Sequence, residues 1–268
     1  MGTAEEATVR LRPAPALTCK PEPSFRWLDA LDQPYSQAFR ESFSYADADV
    51  VLRYAGRGPV FEGTLRARKL KPNFAYQVKL VGMPPSLWGE EGHAPSNRRI
   101  GEVGRWWRPG EDGHNAYLFE DAEKAEMEGY ILFDYFVTDA QGRAETDLRL
   151  DSSFHVLWKT SQWPPAERDS EPTHHTVVAE GENPAYERSF PRGEFGLYAE
   201  HQYGRPPIGQ VRLEPGHYRC FLLLTEESFH AWGNPDGGDW AAALAAPVEF
   251  TITEAQQAPE AEDAKQAE

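Results

Sequence analysis

The chain contains one short pattern twice, and this repeat constrains its fold more than any other feature. The segments Leu70–Tyr76 and Leu213–Tyr218 each begin where a strand ends in leucine, turn around a proline, and place a tyrosine at the start of the next strand. Proline fixes φ in such a turn, and asparagine or glycine tolerates a positive φ. In a β-sandwich the tyrosine ring packs under this corner, and its hydroxyl bonds with backbone a few residues upstream. The pattern therefore predicts an all-β, antiparallel β-sandwich.

Alternation of apolar and polar residues predicts strands along most of the chain. The stronger strand segments are Val50–Tyr54, Val60–Arg68, Phe74–Val81, Tyr130–Thr138, Arg143–Leu150, Phe154–Lys159, Tyr218–Thr225 and Val248–Thr253. Shorter segments are His175–Ala179, Phe195–Ala199, Gln210–Leu213 and an edge strand at Thr8–Arg12. We expect Tyr130–Thr138 and Arg143–Leu150 to form a hairpin. Helical signals are few and short, at Asp29–Ser42, Glu120–Glu128 and Trp240–Ala245.

The 268 residues predict a single domain between two polar extensions. Residues 1–24 are rich in Pro, Glu and Ala and indicate an N-terminal arm, whereas the acidic residues 254–268 indicate a disordered tail. Residues 25–253 are expected to form one β-sandwich, either Ig-like or a jelly roll, with a long insertion at 84–128. The alternative is two Ig-like modules, with Thr160–Thr173 as the candidate boundary.

The corner pattern resembles that of fibronectin type III and related Ig-like β-sandwich proteins. The resemblance covers the two corner segments and not the whole chain, which overall looks like uncharacterised prokaryotic β-rich proteins. It implies a fold and brings no catalytic residues. Within it, Cys220 lies two residues after Tyr218, and this order resembles strand F of an immunoglobulin domain. A disulfide from Cys220 to Cys19 would need an oxidising compartment, and the alternative is a buried free Cys220.

The formal net charge of −16 argues against two classes of partner. An acidic chain repels phosphate backbones and anionic membrane surfaces, so we expect neither nucleic acid nor a membrane as partner. The sequence has no run of apolar residues long enough for a transmembrane helix and no visible signal peptide. We expect a cytoplasmic protein if the chain is complete, and an extracellular or periplasmic one if an export signal was removed.

Tryptophan in apparent loops is the first candidate binding feature. The residues concerned are Trp88, Trp106, Trp107, Trp163 and Trp232. Exposed indoles can stack on the apolar C–H faces of sugar rings, while nearby charged and amide side chains bond the hydroxyls. These residues therefore predict a surface that recognises carbohydrate or another protein. The alternative is that the indoles fold back and cover the ends of the sandwich.

Oxygen and nitrogen ligands suggest two further candidates. Asn234, Asp236 and Asp239 lie on a glycine-rich loop and could supply part of a Ca²⁺ site, although Asp239 could equally cap a short helix. The adjacent His174 and His175, with scattered histidines elsewhere, leave open a transition-metal site assembled across strands. No other cofactor is predicted.

Catalytic motifs do not emerge from the sequence. Ser228 lacks the flanking glycines of a nucleophile elbow, and Glu226-Glu227 is the one acidic pair that draws notice, with a solvated strand end as the alternative. Because no catalytic motif is found, we favour a non-catalytic binding or structural module over an enzyme. The alternatives are a metal-binding protein and an assembly subunit that adds a strand from its N-terminal arm to a neighbour. The sequence leaves the oligomeric state open.

Overall fold

A computed structural model shows an antiparallel β-sandwich, as the corner pattern predicts. It describes residues 6–14, 24–82, 93–108, 114–115, 119–159, 173–179, 183–188, 190–201, 206–227 and 240–254. The strands are β1 (Glu6–Arg10), β2 (Arg12–Pro13), β3 (Asp49–Ala55), β4 (Arg57–Gly58), β5 (Glu62–Arg68), β6 (Ala75–Gly82), β7 (Arg105–Trp107), β8 (His114–Asn115), β9 (Glu128–Val137), β10 (Ala144–Arg149), β11 (Phe154–Lys159), β12 (Thr173–Ala179), β13 (Phe190–His201), β14 (Gly216–Glu227) and β15 (Trp240–Ile252).

Two sheets face each other across the main core. The smaller has the order β1-β3-β5-β10, and the larger has the order β2-β15-β14-β6-β9-β7-β8, with β4 parallel to β15. Alternate residues of each strand point inward, so Leu52 and Leu65 from one sheet share a cluster with Val78, Leu80 and Leu222 from the other. Every residue of β6 is buried, because the large sheet is covered on both faces.

A third sheet with the order β11-β13-β12 accompanies the sandwich. Phe195 and Leu197 of β13 pack with Ala75, Tyr135 and Val137, which belong to β6 and β9. These residues alternate with the inward-facing ones along their strands. The third sheet therefore covers part of the outer face of the large sheet.

The α-helices are α1 (Gln37–Ser42), α2 (His93–Val103) and α3 (Asp121–Lys124), with 3-10 turns at Ser24–Trp27 and Tyr45–Asp47. None of these helices is long and apolar enough to cross a membrane. Helix α2 closes one end of the core, because its Ile100 reaches the main cluster. It can approach the strands this closely because a Cβ at Gly82 or Gly129 would overlap the backbone of Asn97.

Both predicted tyrosine corners form. The Tyr218 hydroxyl donates to the Glu214 carbonyl at 2.8 Å, and the Tyr76 hydroxyl accepts from the Lys71 amide at 3.1 Å. The predicted positive φ is found at Asn73, with φ of 50°. At the Tyr76 corner the chain leaves the small sheet after β5 and enters the large sheet at β6. The Tyr76 corner is thus a crossover between the two layers.

The predicted hairpin between Tyr130–Thr138 and Arg143–Leu150 is wrong. Strand β9 pairs with β6 and β7 in the large sheet, and β10 pairs with β5 in the small one. The connection is a second crossover beside the first, held by bonds from Leu70 N to Gly142 O at 3.1 Å and from Asn73 N to Asp139 O at 3.0 Å. Local turn chemistry around Asp139 is the same in a hairpin and in a crossover, so the sequence could not separate them.

Two predictions of local secondary structure are also wrong, and the predicted arm and insertion contain more regular structure than the sequence indicates. Trp240–Ala245 belongs to β15 and is not helical, because pairing with β14 overrides the helix preference of alanine. Gln210–Leu213, predicted as a short strand, is not a strand. The predicted arm forms β1 and β2, which pair with β3 and β15 of the same chain. The predicted insertion contains α2 and β7, and β7 extends the large sheet.

Candidate functional site

A half-open cleft of about 530 Å³ lies beside helix α1. Its lining comes from α1 and the turn after it, from both crossovers, and from a segment near residue 184. The lining residues are Phe39, Ser42, Phe43, Ser44, Asp47, Lys69, Leu70, Pro72, Ala140, Gln141, Asn183, Pro184 and Ala185. Its volume falls within the range of small-molecule sites, roughly 300–1,000 Å³.

Helix α1 supplies the aromatic wall of the cleft. The Ser36 side chain caps the helix by accepting from Phe39 N at 3.1 Å, and Phe43 N closes it on Phe39 O at 2.8 Å. Residues four apart share one face of a helix, so the rings of Phe39 and Phe43 lie with centroids 5.3 Å apart. Both rings are half-buried, and Tyr35 supports Phe39 from below at 5.0 Å.

Backbone bonds fix the remaining walls. Asn183 donates from Nδ2 to Ala140 O at 2.9 Å and accepts from Ala185 N at 3.0 Å, which ties the 183–185 segment to the second crossover. Ser36 N donates to Ala185 O at 2.8 Å, which ties the same segment to α1. The cleft is therefore built by paired backbone and is largely pre-formed.

Polar side chains surround an apolar floor. Leu70 and Pro72 are buried at the floor, whereas Asp47, Lys69 and Gln141 are exposed at the rim. The rim carries one acid, one base and one amide, so it presents both donors and acceptors without a strong net charge. Such a site suits a neutral ligand with an apolar face and several hydroxyl or amide groups.

A buried charged cluster lies next to this floor. Lys71 Nζ contacts Glu226 Oε1 at 2.6 Å, and both side chains are fully buried. Arg26 Nε lies 3.4 Å from Glu226 Oε2, and the Tyr45 hydroxyl donates to Oε1. The Tyr76 hydroxyl follows 3.0 Å from that of Tyr45, so the corner tyrosine joins this network.

Aromatic rings enclose the Lys71 amine. Its nitrogen lies 4.7 Å from the ring centroids of Trp27 and Phe74, and 5.9 Å from that of Phe43, which also lines the cleft. Burial lowers the pKa of Lys71 to about 8, although the charge of Glu226 opposes this shift. Burial, with the nearby Glu226 charge, raises the pKa of Tyr45.

A second buried acid supports the first crossover. Asp29 accepts from the Tyr186 hydroxyl at 2.9 Å and from the amides of Leu31 and Gln33. Burial raises the pKa of Asp29 to about 6 despite these bonds. The Tyr35 hydroxyl donates to Pro72 O at 2.5 Å, so the cleft floor is anchored from beneath.

Trp106 and Trp107 are each 1% exposed, so the expectation that these two indoles stand on an open surface is wrong. They lie on β7 and point to opposite sides of the sheet. Trp106 packs against Met127, and Trp107 packs against Trp240 with centroids 5.0 Å apart. Apolar burial against α2 and β9 thus outweighs the loop-like composition around them. The other three predicted tryptophans, Trp88, Trp163 and Trp232, lie outside the described residues.

The predicted metal residues Asn234, Asp236 and Asp239 also lie outside the described residues, as does Ser228. Within the part of the chain that the structure describes, no group of three His, Cys, Asp or Glu side chains is placed to hold a metal ion.

Cys220 is a buried free thiol, so the disulfide with Cys19 is not formed here. Cys19 itself lies outside the described residues. Burial raises the pKa of the Cys220 thiol, which keeps it protonated and unreactive in the core.

Sequence reasoning missed the two central features of this site. Glu226 belongs to the acidic pair Glu226-Glu227, for which the sequence offers a solvated strand end as the alternative, and its complete burial shows that this alternative is wrong for Glu226. The i,i+4 spacing of Phe39 and Phe43 was an available signal for the aromatic wall. Nothing in the sequence indicated that the two crossovers and residues 183–185 would meet beside it.

Glu128 gives a testable pH dependence. It is buried on the outer face beside Trp107, and its Oε2 has no hydrogen-bond partner among the described residues. Burial raises its pKa to about 8 from 4.5. The folded state therefore holds this proton more tightly than the unfolded state, and stability falls as pH rises from 4.5 to 8. We expect Glu128→Gln to reduce this fall and to be more stable than the parent by roughly 2 kcal/mol at pH 8.

Urea unfolding at pH 5 and pH 8 measures the effect. Glu126→Gln, at an exposed position two residues earlier, is the matched control and should unfold like the parent at both values. An equal pH slope in Glu128→Gln and the parent would contradict the assignment.

The chain was compared with protein families, curated proteins and solved structures. No protein family, no curated protein and no solved structure matches it. What the protein does must therefore be argued from its own residues.

Proposed function

We propose that this protein is a non-catalytic binding module of Ig-like β-sandwich type, and that its ligand is a neutral saccharide held in the cleft beside α1. The observation that carries the proposal is the pair of half-buried rings, Phe39 and Phe43, which face a polar rim across a pre-formed cleft. The proposal keeps the carbohydrate class that the sequence suggests and moves the site away from the tryptophan loop.

The order of the strands supports the Ig-like part. In the central part of the small sheet the order is β3-β5-β10, and in the large sheet it is β15-β14-β6-β9. If β3 is taken as strand A, this corresponds to A-B-E facing G-F-C-C′. Tyr218 then opens strand F and precedes Cys220 by two residues, as in that class of domain.

The chemistry of the lining supports a saccharide. The C–H face of a sugar ring is apolar and can stack on Phe39 or Phe43, which bury surface without a strong charge. Its hydroxyl groups both donate and accept, and Asp47, Lys69 and Gln141 at the rim offer matching acceptors and donors. The rim carries one acid and one base, so it has no net charge that would attract a strongly charged ligand.

Binding of neutral oligosaccharides tests the proposal. We expect at least one of the cello-, xylo-, manno- or malto-oligosaccharides to bind the parent in isothermal titration calorimetry. Phe39→Ala is expected to weaken this binding about tenfold, because a stacked ring contributes about 1–1.5 kcal/mol. Gln141→Ala, at an exposed rim position, should weaken it by a smaller factor without disturbing the core.

Phe221→Ala is the matched control, since Phe221 is a partly buried ring on the outer face of β14, away from the cleft. It should bind like the parent. The proposal fails if none of these oligosaccharides binds, or if binding survives unchanged in both Phe39→Ala and Gln141→Ala.

A further inference from the structure

Lys71 and Glu226 form the most enclosed pair of reactive groups among the described residues. Lys71 precedes β6 by four residues, and Glu226 lies near the end of the neighbouring β14, where it pairs with Tyr76 in the strand register. The amine nitrogen is 2.6 Å from one carboxyl oxygen, and both side chains are fully buried. From this geometry we propose that Lys71 and Glu226 are joined by an amide bond in the mature folded protein.

The fold holds the Lys71 amine and the Glu226 carboxyl group close enough to react. An amine in hydrogen-bond contact with one oxygen of a carboxyl group also lies within reach of its carbon. Fixing two reactants in one site is equivalent to effective molarities of about 10⁵–10⁸ M, which drives condensations that do not occur in dilute solution. Lys71 also donates to the Arg26 carbonyl, so the amine has little freedom to move away.

The surroundings of the amine favour its neutral, reactive form. Amide formation requires an unprotonated amine and a protonated carboxyl group. The rings of Trp27, Phe43 and Phe74 exclude water around the amine, and an ion pair in such a place is expensive in desolvation. Passing one proton from the ammonium to the carboxylate removes both charges and yields the reactive pair in place.

Neighbouring side chains fit the roles that the reaction needs. The amine nitrogen forms a bond to Cδ of Glu226 while an electron pair moves onto Oε2, and Arg26 lies 3.4 Å from this oxygen to stabilise its charge. One amine proton passes to Oε1, which lies 2.6 Å from the amine nitrogen and accepts from the Tyr45 hydroxyl. The bond from Cδ to Oε1 then breaks and one water leaves. The step needs no oxidant or reductant.

The bond would fasten the first crossover to the end of strand β14. It would close a loop of more than half of the chain, because it links residue 71 to residue 226. A cross-link of this length restricts the unfolded state strongly, and it does not depend on a redox compartment. The inference is independent of the saccharide proposal, since it concerns the interior and not the cleft.

Mass spectrometry of the purified full-length chain tests the inference. Under denaturing and reducing conditions, the intact mass is expected to be lower than the sequence mass by one water molecule. Proteolysis should then release one species that contains the peptides around Lys71 and Glu226, and fragmentation should place the link at these residues. Lys71→Arg is expected to show the full sequence mass, because a guanidinium does not form this amide.

Lys79→Arg is the matched control, because Lys79 is also fully buried and lies 3.9 Å from the ring centroid of Trp240. It should retain the loss of one water. An intact mass equal to the sequence mass in folded parent protein overturns the inference and leaves Lys71 and Glu226 as an ion pair only. A loss of water that maps to other residues overturns it as well.

Discussion

Replacing Glu226 by alanine is expected to lower the free energy of unfolding by about 3–5 kcal/mol. Glu226 is the acidic partner of Lys71, and neither side chain has any exposed surface. Without it, Lys71 must hold its charge in an aromatic enclosure or give up its proton, and Tyr45 loses its acceptor. Removing one member of a buried pair strands the other, so the loss exceeds that of an ordinary hydrogen bond. Denaturant unfolding measures the change.

An exposed glutamate gives the matched control. Glu249 contacts His217 and Arg219 with its side chain 61% exposed, so Glu249→Ala should change stability by no more than about 1 kcal/mol. Adding Lys71→Met to Glu226→Ala should recover part of the loss, because it removes the stranded amine. If Glu226→Ala is no more destabilising than Glu249→Ala, the buried pair does not stabilise the fold as described.

Gly129→Ala is expected to destabilise the fold by about 3 kcal/mol or more, which is large for one methyl group. The added Cβ would overlap Asn97 O and lie 2.6 Å from Gly101 N. Both obstacles are backbone atoms of α2, so no side-chain rotation relieves them. Asn97 also bonds Gly129 N and Met127 O at 2.8 Å each, and moving α2 away would break both bonds.

Gly58→Ala serves as the control for Gly129→Ala. Gly58 lies in the two-residue strand β4, and the nearest atom to an added Cβ there is Val60 O at 3.3 Å. A shift of a few tenths of an ångström accommodates it, so a loss below about 1 kcal/mol is expected. Equal thermal unfolding midpoints for the two variants would show that α2 does not pack on β9 as described.

The sequence predicted the layers of this fold better than their connections. The two corners could be identified because proline and a positive-φ residue form the turn and tyrosine packs under it. Tyr76 and Tyr218 both make the expected bond with backbone. Strand alternation located β3, β5 and β6 to within two residues at either end. The turn at Asp139 predicts a hairpin where the structure has a crossover, because a turn sequence specifies local geometry and not the sheet that the chain enters next.

The candidate site could not be predicted from the sequence for a related reason. The segment around Trp106 and Trp107 has the composition of a binding loop, yet pairing of β7 with β9 buries both side chains. The cleft instead depends on contacts between residues far apart, such as the bond from Asn183 to Ala140, which no local pattern encodes. Glu226 is similar, because its burial depends on contacts with the Tyr76 corner, Lys71 and Tyr45, not on its neighbours in the chain.

Nuclear magnetic resonance tests the central claim, that the cleft beside α1 binds a neutral saccharide. The ¹⁵N-labelled parent chain would be titrated with cello-, xylo-, manno- and malto-oligosaccharides while backbone amide shifts are followed. The account predicts that one of them shifts amides of cleft residues, including Phe39, Ser44, Lys69 and Gln141, while amides of α2 stay unchanged. No shift with any of these sugars, or shifts centred on another part of the surface, would contradict it.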